Sequence, residues 1–387
     1  MTTIRTYKRK LILTKEQSLQ IDSWMGACRF VYNMALDLKQ WAYRNGVKLS
    51  FTDLQNQLPA IREEHKWLDE VPSQTLQNPI TVRLKKAYDN FFAGGGFPRF
   101  RNKRNYSSIT FPQGIKVEAN RVWLPKIANK KKKDTWLKMH KDAPVIGKIK
   151  TALVKQEPTG YFLCITCEVE KPLSQHNESQ VVGIDMGIAC FASLDNGEQI
   201  SNPKHFKGYE EKLAIEGRVL SRRKRGSNRW KKQAQKLARL HHKIACVRKD
   251  FLHKQSTMIA EQYGQVTLEE LKIKNMTRRA KKKHGEDGSF LPNGQSAKSG
   301  LNKSILDAGW GMFGDMLAYK TKVVWVDAKY SSQECSHCGH VDKASRKSQA
   351  EFECTACGHQ ENADVNAAKN IKGRGTADAS TKRRKAA

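Results

Sequence analysis

The sequence predicts a mixed α/β chain: a β-module interrupted by a helical block, then an α/β domain that carries a metal clip. Three observations lead there. Apolar residues alternate with a strand-like period up to residue 12, take a helical period until the nineties, and return to alternation after residue 106. A polar stretch with a helix-breaking proline, KPLSQHNES at 171–179, then separates this part from a new series of apolar strands and long helices. Near the C-terminus stand two Cys-x-x-Cys pairs.

Taken in order, residues 4–12 (IRTYKRKLI) read as one strand. Thr14, Lys15 and Glu16 form a helix start, and the period runs on through QWAYRNG. Further helices reach Phe92, broken by Pro59 and by EVPSQ at 70–74, and the glycines of AGGGFPRFRNKR end the block. SSITFP, IKVEANRVWLP and ALVKQEPTGYFLCITCEVE are short strands, with EANR and EPTG as hairpin turns. Residues 1–12 and 106–172 are therefore expected to form one β-module, with 13–105 inserted as a helical lobe and 175–387 as a second domain. VVGIDMGIACFASLDNGEQI supplies two strands of that domain, DFLHKQSTMIAEQYG a helix, and QVTLEEL a further strand. Residues 277–300 are poor in apolar side chains and are expected to be mobile. Their glycines and their nearness to Glu269 make them a candidate gate. The tail, 373–387, is expected to be disordered.

The chain has 387 residues, enough for two or three cores, with 39% hydrophobic and 28% charged residues. No apolar stretch is long enough to span a membrane, and the basic start MTTIRTYKRK lacks an apolar leader segment, so a cytoplasmic protein is expected. A net charge of +32 calls for a polyanionic partner, and phosphate backbones reward many Lys and Arg contacts through counterion release. Residues 217–249 contain no acid, and SRRKRGSNRWKKQAQK is their most basic part. Here Arg222, Arg223, Lys224, Arg225 and Arg229 are candidate nucleic-acid contacts, as are Arg99, Arg101, Lys103 and Arg104 of FPRFRNKR.

Three carboxylates are candidates for chemistry. Asp185 ends a strand on which Val181 and Gly183 share its face, and Gly187 follows; a turn-forming aspartate would look the same. Glu269 ends QVTLEEL on the side of Thr267, with Glu270 as its competitor. Asp364 shares a helical face with Ala367, Ala368 and Ile371, where a carboxylate is costly unless paired or bound to metal, although a helix cap would also fit. Two strands and one helix bearing acids 84 and 95 residues apart fit an RNase H-like layout. Oxygen ligands of this kind suit Mg²⁺ or Mn²⁺ on a scissile phosphate.

Cys335, Cys338, Cys354 and Cys357 follow C-x₂-C-x₁₅-C-x₂-C, the spacing of a closed, structural Zn²⁺ site within a ribbon over 330–360. Cys164 and Cys167 lie on an alternating strand and are read as packing residues. The ribbon precedes Asp364 by only a few residues, so its expected role is to hold that helix in place.

The motifs GIDMGIACFASLDNG, VTLEELKIKNM, LNKSILDAGWGMFGDMLAYK, YSSQECSHCG and CTACGHQENADVNAAKNI, in this order, strongly resemble the TnpB family. These are transposon-encoded RNA-guided DNA nucleases related to type V CRISPR effectors. GACRFVYNMAL, GFPRFRNKR and VEANRVWLPKI extend the resemblance over nearly the whole chain to about Ile371. It implies a wedge β-barrel, an inserted helical recognition lobe, and a RuvC-like nuclease domain with a zinc-ribbon insertion. It also implies a catalytic triad of Asp185, Glu269 and Asp364. The implied activity is cleavage of double-stranded DNA beside a short target-adjacent motif, directed by a guide RNA transcribed from the transposon end. Gln77 of EVPSQTLQN becomes a candidate reader of that motif. The rival reading is an RNA-guided DNA-binding regulator without cleavage, against which the presence of all three acids speaks.

Overall fold

The computed structural model describes residues 2–127, 135–170 and 180–385, with side chains to residue 377. The polar segment expected to act as a linker, 171–179, lies outside the described residues. The chain divides into two compact units, Met1–Leu173 and Ser174–Ala387. No described helix is long and apolar enough to cross a membrane.

In the first unit, β1 (Thr2–Ile12) precedes the helical block and the remaining strands follow it. The block comprises α1 (Lys15–Arg44), α2 (Phe51–Asn56), α3 (Leu58–Glu64), α4 (Ser73–Asn78), a π-helical turn Pro79–Leu84 and α5 (Lys85–Phe92). Thr14 and Gln17 close a capping box at the start of α1, which fixes where the strand gives way to helix. Then come β2 (Ser108–Phe111), β3 (Lys116–Glu118), β4 (Arg121–Trp123), β5 (Leu137–Met139), β6 (Lys148–Glu157) and β7 (Gly160–Glu170). They pair in the order β2-β6-β7-β1-β5-β4-β3. β1 lies antiparallel to β7 from Thr2 to Lys10, then changes partner to β5 at Leu11 and Ile12. The expected barrel is thus an open series of strands among the described residues, folded where β1 switches neighbours. Cys167 is buried in this core, while Cys164 is half-buried.

The second unit is built on a five-stranded sheet ordered β10-β9-β8-β11-β14. Its strands are β8 (Val181–Met186), β9 (Cys190–Leu194), β10 (Gln199–Ser201), β11 (Gln265–Glu269) and β14 (Lys322–Val326). β8, β11 and β14 run parallel, with Thr267 level with both Gly183 and Val324. Alternation divides the sheet's faces. Val182, Ile184, Val266 and Leu268 join a core with Leu252 of α7 (Asn228–Gln262) and Phe313 of α10 (Trp310–Ala318). Gly183, Asp185, Thr267 and Glu269 occupy the alternate positions, on the side where α11 (Ala363–Lys385) packs over β8.

Several expectations need correction. The helix expected from Asp250 begins at Asn228, capped by Ser227, because its first half is polar on nearly all sides and shows no apolar stripe. With α6 (Glu210–Ser221) it forms a hairpin whose tip, 222–227, carries the most basic run, and Lys236 pairs with Glu216 across it at 2.6 Å. Residues 277–300, expected to be mobile, follow α8 (Ile273–Met276) and contain a small hairpin of β12 (Lys283–His284) and β13 (Phe290–Leu291) and the start of α9 (Gln295–Ala308). Lys298 and Asn302 tie the segment back by donating to the carbonyls of Met276 and Thr277. The tail expected to be disordered after Gly373 continues as α11 to Lys385. A Cβ on Gly375 would lie 2.3 Å from Thr267 Oγ1, so the glycine permits close docking of α11.

Candidate active site

The elements that carry the three carboxylates approach one another because small residues remove what would hold them apart. A Cβ on Gly183 would stand 2.2 Å from the Ala368 carbonyl and 2.6 Å from the Lys372 nitrogen, so α11 lies directly on the backbone of β8. Ala367, Ala368 and Ile371 are buried in that contact. Lys372 closes its flank with a 2.6 Å ion pair to Asp195, whose other oxygen accepts from the Gly183 amide. Gly187 lies past the end of β8, where a Cβ would meet the Cys190 carbonyl at 2.7 Å; its glycine serves close approach.

Asp364 stands in the first turn of α11 but does not cap it. Asn362 Oδ1 accepts from the amides of Asp364 and Val365, leaving the Asp364 carboxylate free to face the sheet. Arg346, from the loop between the two cysteine pairs, donates to Asp364 at 3.1 Å and is itself steadied by the Gln349 carbonyl. Glu269 is buried, whereas its neighbour Glu270 is exposed and bonds through its amide to Val326. The Ser331 hydroxyl donates to Glu269.

The electrostatics link the other two acids to Asp185. Burial pushes Asp185 up to about 7, the charges of Glu269 and Asp364 push in the same direction, and Arg346 opposes them. Glu269 is raised too, by burial and by Asp327, against the Ser331 hydrogen bond and Arg374. Asp185, with two further carboxylates acting on it, is a hard oxygen donor whose neighbourhood carries an excess of negative charge that a divalent cation would neutralise, and such donors fit Mg²⁺ or Mn²⁺.

The four-cysteine clip is tighter. The ligand sulfurs of Cys335, Cys338, Cys354 and Cys357 all lie within 4.8 Å of one another, with Cys335–Cys357 at 3.8 Å and Cys338–Cys354 at 3.6 Å. Tetrahedral Zn–S bonds of about 2.3 Å require sulfur separations of roughly 3.8 Å. The two knuckles repeat one pattern. Gly339 and Gly358 take positive φ and donate to the carbonyls of Cys335 and Cys354. Amides of Cys357 and Ala356 hold the Cys354 thiol below its usual range, while burial and the neighbouring sulfurs push Cys335 and Cys357 up, so these thiols share their protons as one group. Strand β15 (Glu351–Glu353) leads into the second knuckle, and β16 (Gln360–Asn362), antiparallel to it, leads from the knuckle into α11.

The clip is fastened to α11 by asparagines one turn apart. Asn366 donates to the Glu334 carbonyl and accepts from the Ser336 amide; Asn370 donates to the carbonyls of Ser331 and Glu334. Arg374 continues the row, reaching the carbonyls of Asp327 and Lys329 and the Glu334 carboxylate. Arg346, Ser331 and this row were not found from the sequence. Arg346 stood among Lys343, Lys347 and other polar residues without any local signal. The i, i+4 spacing of Asn366 and Asn370 on a half-apolar helix was the one available hint.

The candidate nucleic-acid contacts lie elsewhere. Arg222, Lys224, Arg225 and Arg229 are exposed at the α6–α7 tip, with Arg223 half-buried and donating to the Arg229 carbonyl at 2.7 Å. In the other unit, Arg99, Lys103 and Arg104 are exposed and Arg101 is half-buried, its backbone held by Asn33. Gln77, on α4, lines a polar cavity of about 730 Å³ with Gln55, Arg62 and Ser73.

Comparison with known proteins adds family information. A family model described as "Probable transposase" (OrfB_IS605) matches residues 164–280, and one described as a Cas12f1-like TNB domain matches 310–371. A helix-turn-helix model matches 1–48, where the structure has a strand and one unbroken helix. A relative in Escherichia coli strain K12 that carries the name RNA-guided DNA endonuclease InsQ is 35% identical, over 96% of this chain and 92% of its own. Another so named, from Streptomyces pristinaespiralis, is 30% identical, over 96% of this chain and 90% of its own. The fold is similar to that of the protein in a Cas12f1–sgRNA–target DNA complex, with a TM-score of 0.55 at 15% identity, over 93% of this chain and 83% of that one.

Proposed function

Because the chain belongs to the TnpB family of transposon-encoded RNA-guided DNA endonucleases, the family of the OrfB_IS605 transposases, we propose that it hydrolyses double-stranded DNA next to a short flanking motif. A guide RNA transcribed from the transposon end directs it. The observation that supports this reading is that the charges of Glu269 on β11 and Asp364 on α11 both act on Asp185 of β8, which burial and these neighbours raise to about 7.

Asp185, Glu269 and Asp364 would hold Mg²⁺ or Mn²⁺. Such ions, when bound, supply activation of the attacking water and stabilisation of the leaving 3′-oxygen. The chain's own residues do the rest. Asp185, raised to about 7, would have to be deprotonated to serve as a ligand. Ser331 keeps the Glu269 carboxylate in one orientation through its hydroxyl. Arg346 balances Asp364 in the resting site, and its guanidinium is within reach of the same anionic surroundings a phosphate would enter. The zinc clip works through position, holding the start of α11 and the loop that bears Ser331. The basic α6–α7 tip and the 99–104 strip grip backbones, base pairing with the guide supplies sequence choice, and Gln77 reads the flanking motif.

The deciding experiment is purification from cells that carry the flanking transposon DNA, followed by sequencing of co-purified RNA and plasmid cleavage with Asp185→Ala as control. A single structured RNA ending in a variable segment, with cleavage lost in the variant, is expected. Heterogeneous cellular RNA would reject the guided reading. Guided binding with no cleavage by the unaltered chain would establish a regulator instead.

A further inference from the structure

Two aromatic side chains of the helical block are almost fully in solvent: Tyr43 is 77% exposed and Phe92 78%. They belong to one groove, of about 670 Å³, between the end of α1 and the end of α5. Its construction is specific. Gly94 takes φ +85° and a Cβ on Gly95 would lie 2.5 Å from the Asn90 carbonyl, so the chain leaves α5 in a tight reversal. That reversal brings Phe97 back edge-on to Phe91 and Tyr88, with centroids 5.2 and 5.8 Å away. The resulting aromatic wall is preorganised and half open.

The surroundings of the wall are cationic. Lys39 sits over the Phe51 and Tyr88 rings at 4.9 and 5.4 Å and is anchored on the Leu49 carbonyl. Arg44 and Lys48 are exposed on the rim, and no carboxylate is among the described residues lining the groove. The nearby Asp53 is engaged in capping Ser50. The chain then leaves the groove as Phe97-Pro98-Arg99-Phe100-Arg101, alternating rings with guanidinium groups, and Phe100 is 51% exposed.

We propose that this groove is a stacking site for unpaired bases of an RNA strand, whose phosphates pass along Arg44, Lys48 and Arg99. Rings that accept a base on their face, beside cations that follow the backbone, are the means by which single strands are held without sequence preference. A second copy of the chain is disfavoured as occupant, since two such rims would place like charges opposite each other on a chain of net charge +32. RNA is preferred to DNA because so much aromatic surface in water calls for a resident partner. Under the proposed function that partner is RNA, while DNA is a visitor. That last step rests on the function proposed above; the stacking itself does not.

The test uses the full chain freed of RNA, with a short oligoadenylate carrying one 2-aminopurine, the matching deoxy-oligomer, and an RNA duplex. Tyr43→Ala and Phe92→Ala are expected to weaken oligoadenylate binding roughly tenfold each and to abolish the quenching of 2-aminopurine, with the salt slope unchanged. Phe92→Trp should restore both. Arg99→Ala should instead lower the salt slope by about one and leave the quenching intact. Unchanged affinity and quenching in both alanine variants would overturn the proposal, as would equal preference for the duplex. Preference for the deoxy-oligomer would overturn the assignment to RNA. Self-association that disappears in Phe92→Ala while RNA binding persists would make the groove a dimer contact. These readouts need no cleavage, so Asp185→Ala should show full quenching. Failure of the nuclease reading would therefore appear separately, as intact stacking in a chain that cuts nothing.

Discussion

With Asp185 raised to about 7, the metal-free site carries a proton that an incoming cation must displace. The unfolded chain titrates this group near its ordinary 3.8, so from there up to about 7 the folded state binds the extra proton and is favoured by it. The contribution is lost as pH rises through about 7. Asp185→Asn should therefore melt higher than the unaltered chain near pH 8 without metal, and the gap should close as pH falls towards about 5. Mg²⁺ near pH 8 should raise the melting temperature of the unaltered chain alone. Equal melting curves at both pH values would remove Asp185 from the strained cluster. Ser331→Ala takes a donor from a buried carboxylate, at a cost of about 1.5–3 kcal/mol. Since that hydrogen bond holds the Glu269 pKa down, its loss should shift the acid limb of the cleavage–pH profile upward and reduce cleavage at least tenfold near neutrality. A profile that keeps its midpoint would show the hydroxyl to be incidental. Ser331 and Arg346 could not be read from the sequence, because each acts across a long interval on a partner that only the fold supplies. The helical face that Asp364 shares with Ala367, Ala368 and Ile371 could, because three small or apolar neighbours at helical spacing announce a face packed on the sheet.

The contact between α11 and β8 decides where the third acid stands. Gly183→Ala would drive a methyl group into the Ala368 carbonyl, where backbone cannot step aside. Overpacking of this kind costs about 1–3 kcal/mol, and the expected outcome is a lower melting temperature, loss of cleavage and unchanged RNA binding. Cleavage at the original level would mean that the helix tolerates displacement. Cys354→Ser with Cys357→Ser, or chelation of zinc, should give the same pattern by loosening the clip that Asn366 and Asn370 hold. The strands, the first helix start and the cysteine knuckles were legible because period, capping and spacing are local properties. The true start of α7 was hidden, since a helix with basic residues on most sides has no apolar stripe to mark it. The course of α11 past Gly373 was hidden too, since Gly375 serves a contact with Thr267, on a strand more than a hundred residues away, that only the fold supplies.

At the scale of the whole molecule, the densest positive charge and the candidate catalytic acids are carried by different parts. The most basic run forms the tip of the α6–α7 hairpin, and the acids lie on β8, β11 and α11. Replacing Arg222, Arg223, Lys224 and Arg225 with glutamine should weaken nucleic-acid binding for all sequences alike and reduce its salt slope by roughly the number of phosphates released. The position of the cut should not move. A change in target choice would assign the tip a part in recognition. The net charge made a polyanionic partner legible, but the open groove at Tyr43 and Phe92 was not, because its walls come from segments some fifty residues apart. One further consequence follows from the placement of Asp364 on the helix that closes the sheet. A chain whose synthesis stopped anywhere before that residue would keep its basic surfaces and two of its three acids, yet lack the third. On the proposed reading, incomplete translation products would occupy nucleic acid harmlessly, and the capacity to damage a genome would arrive only with the last helix.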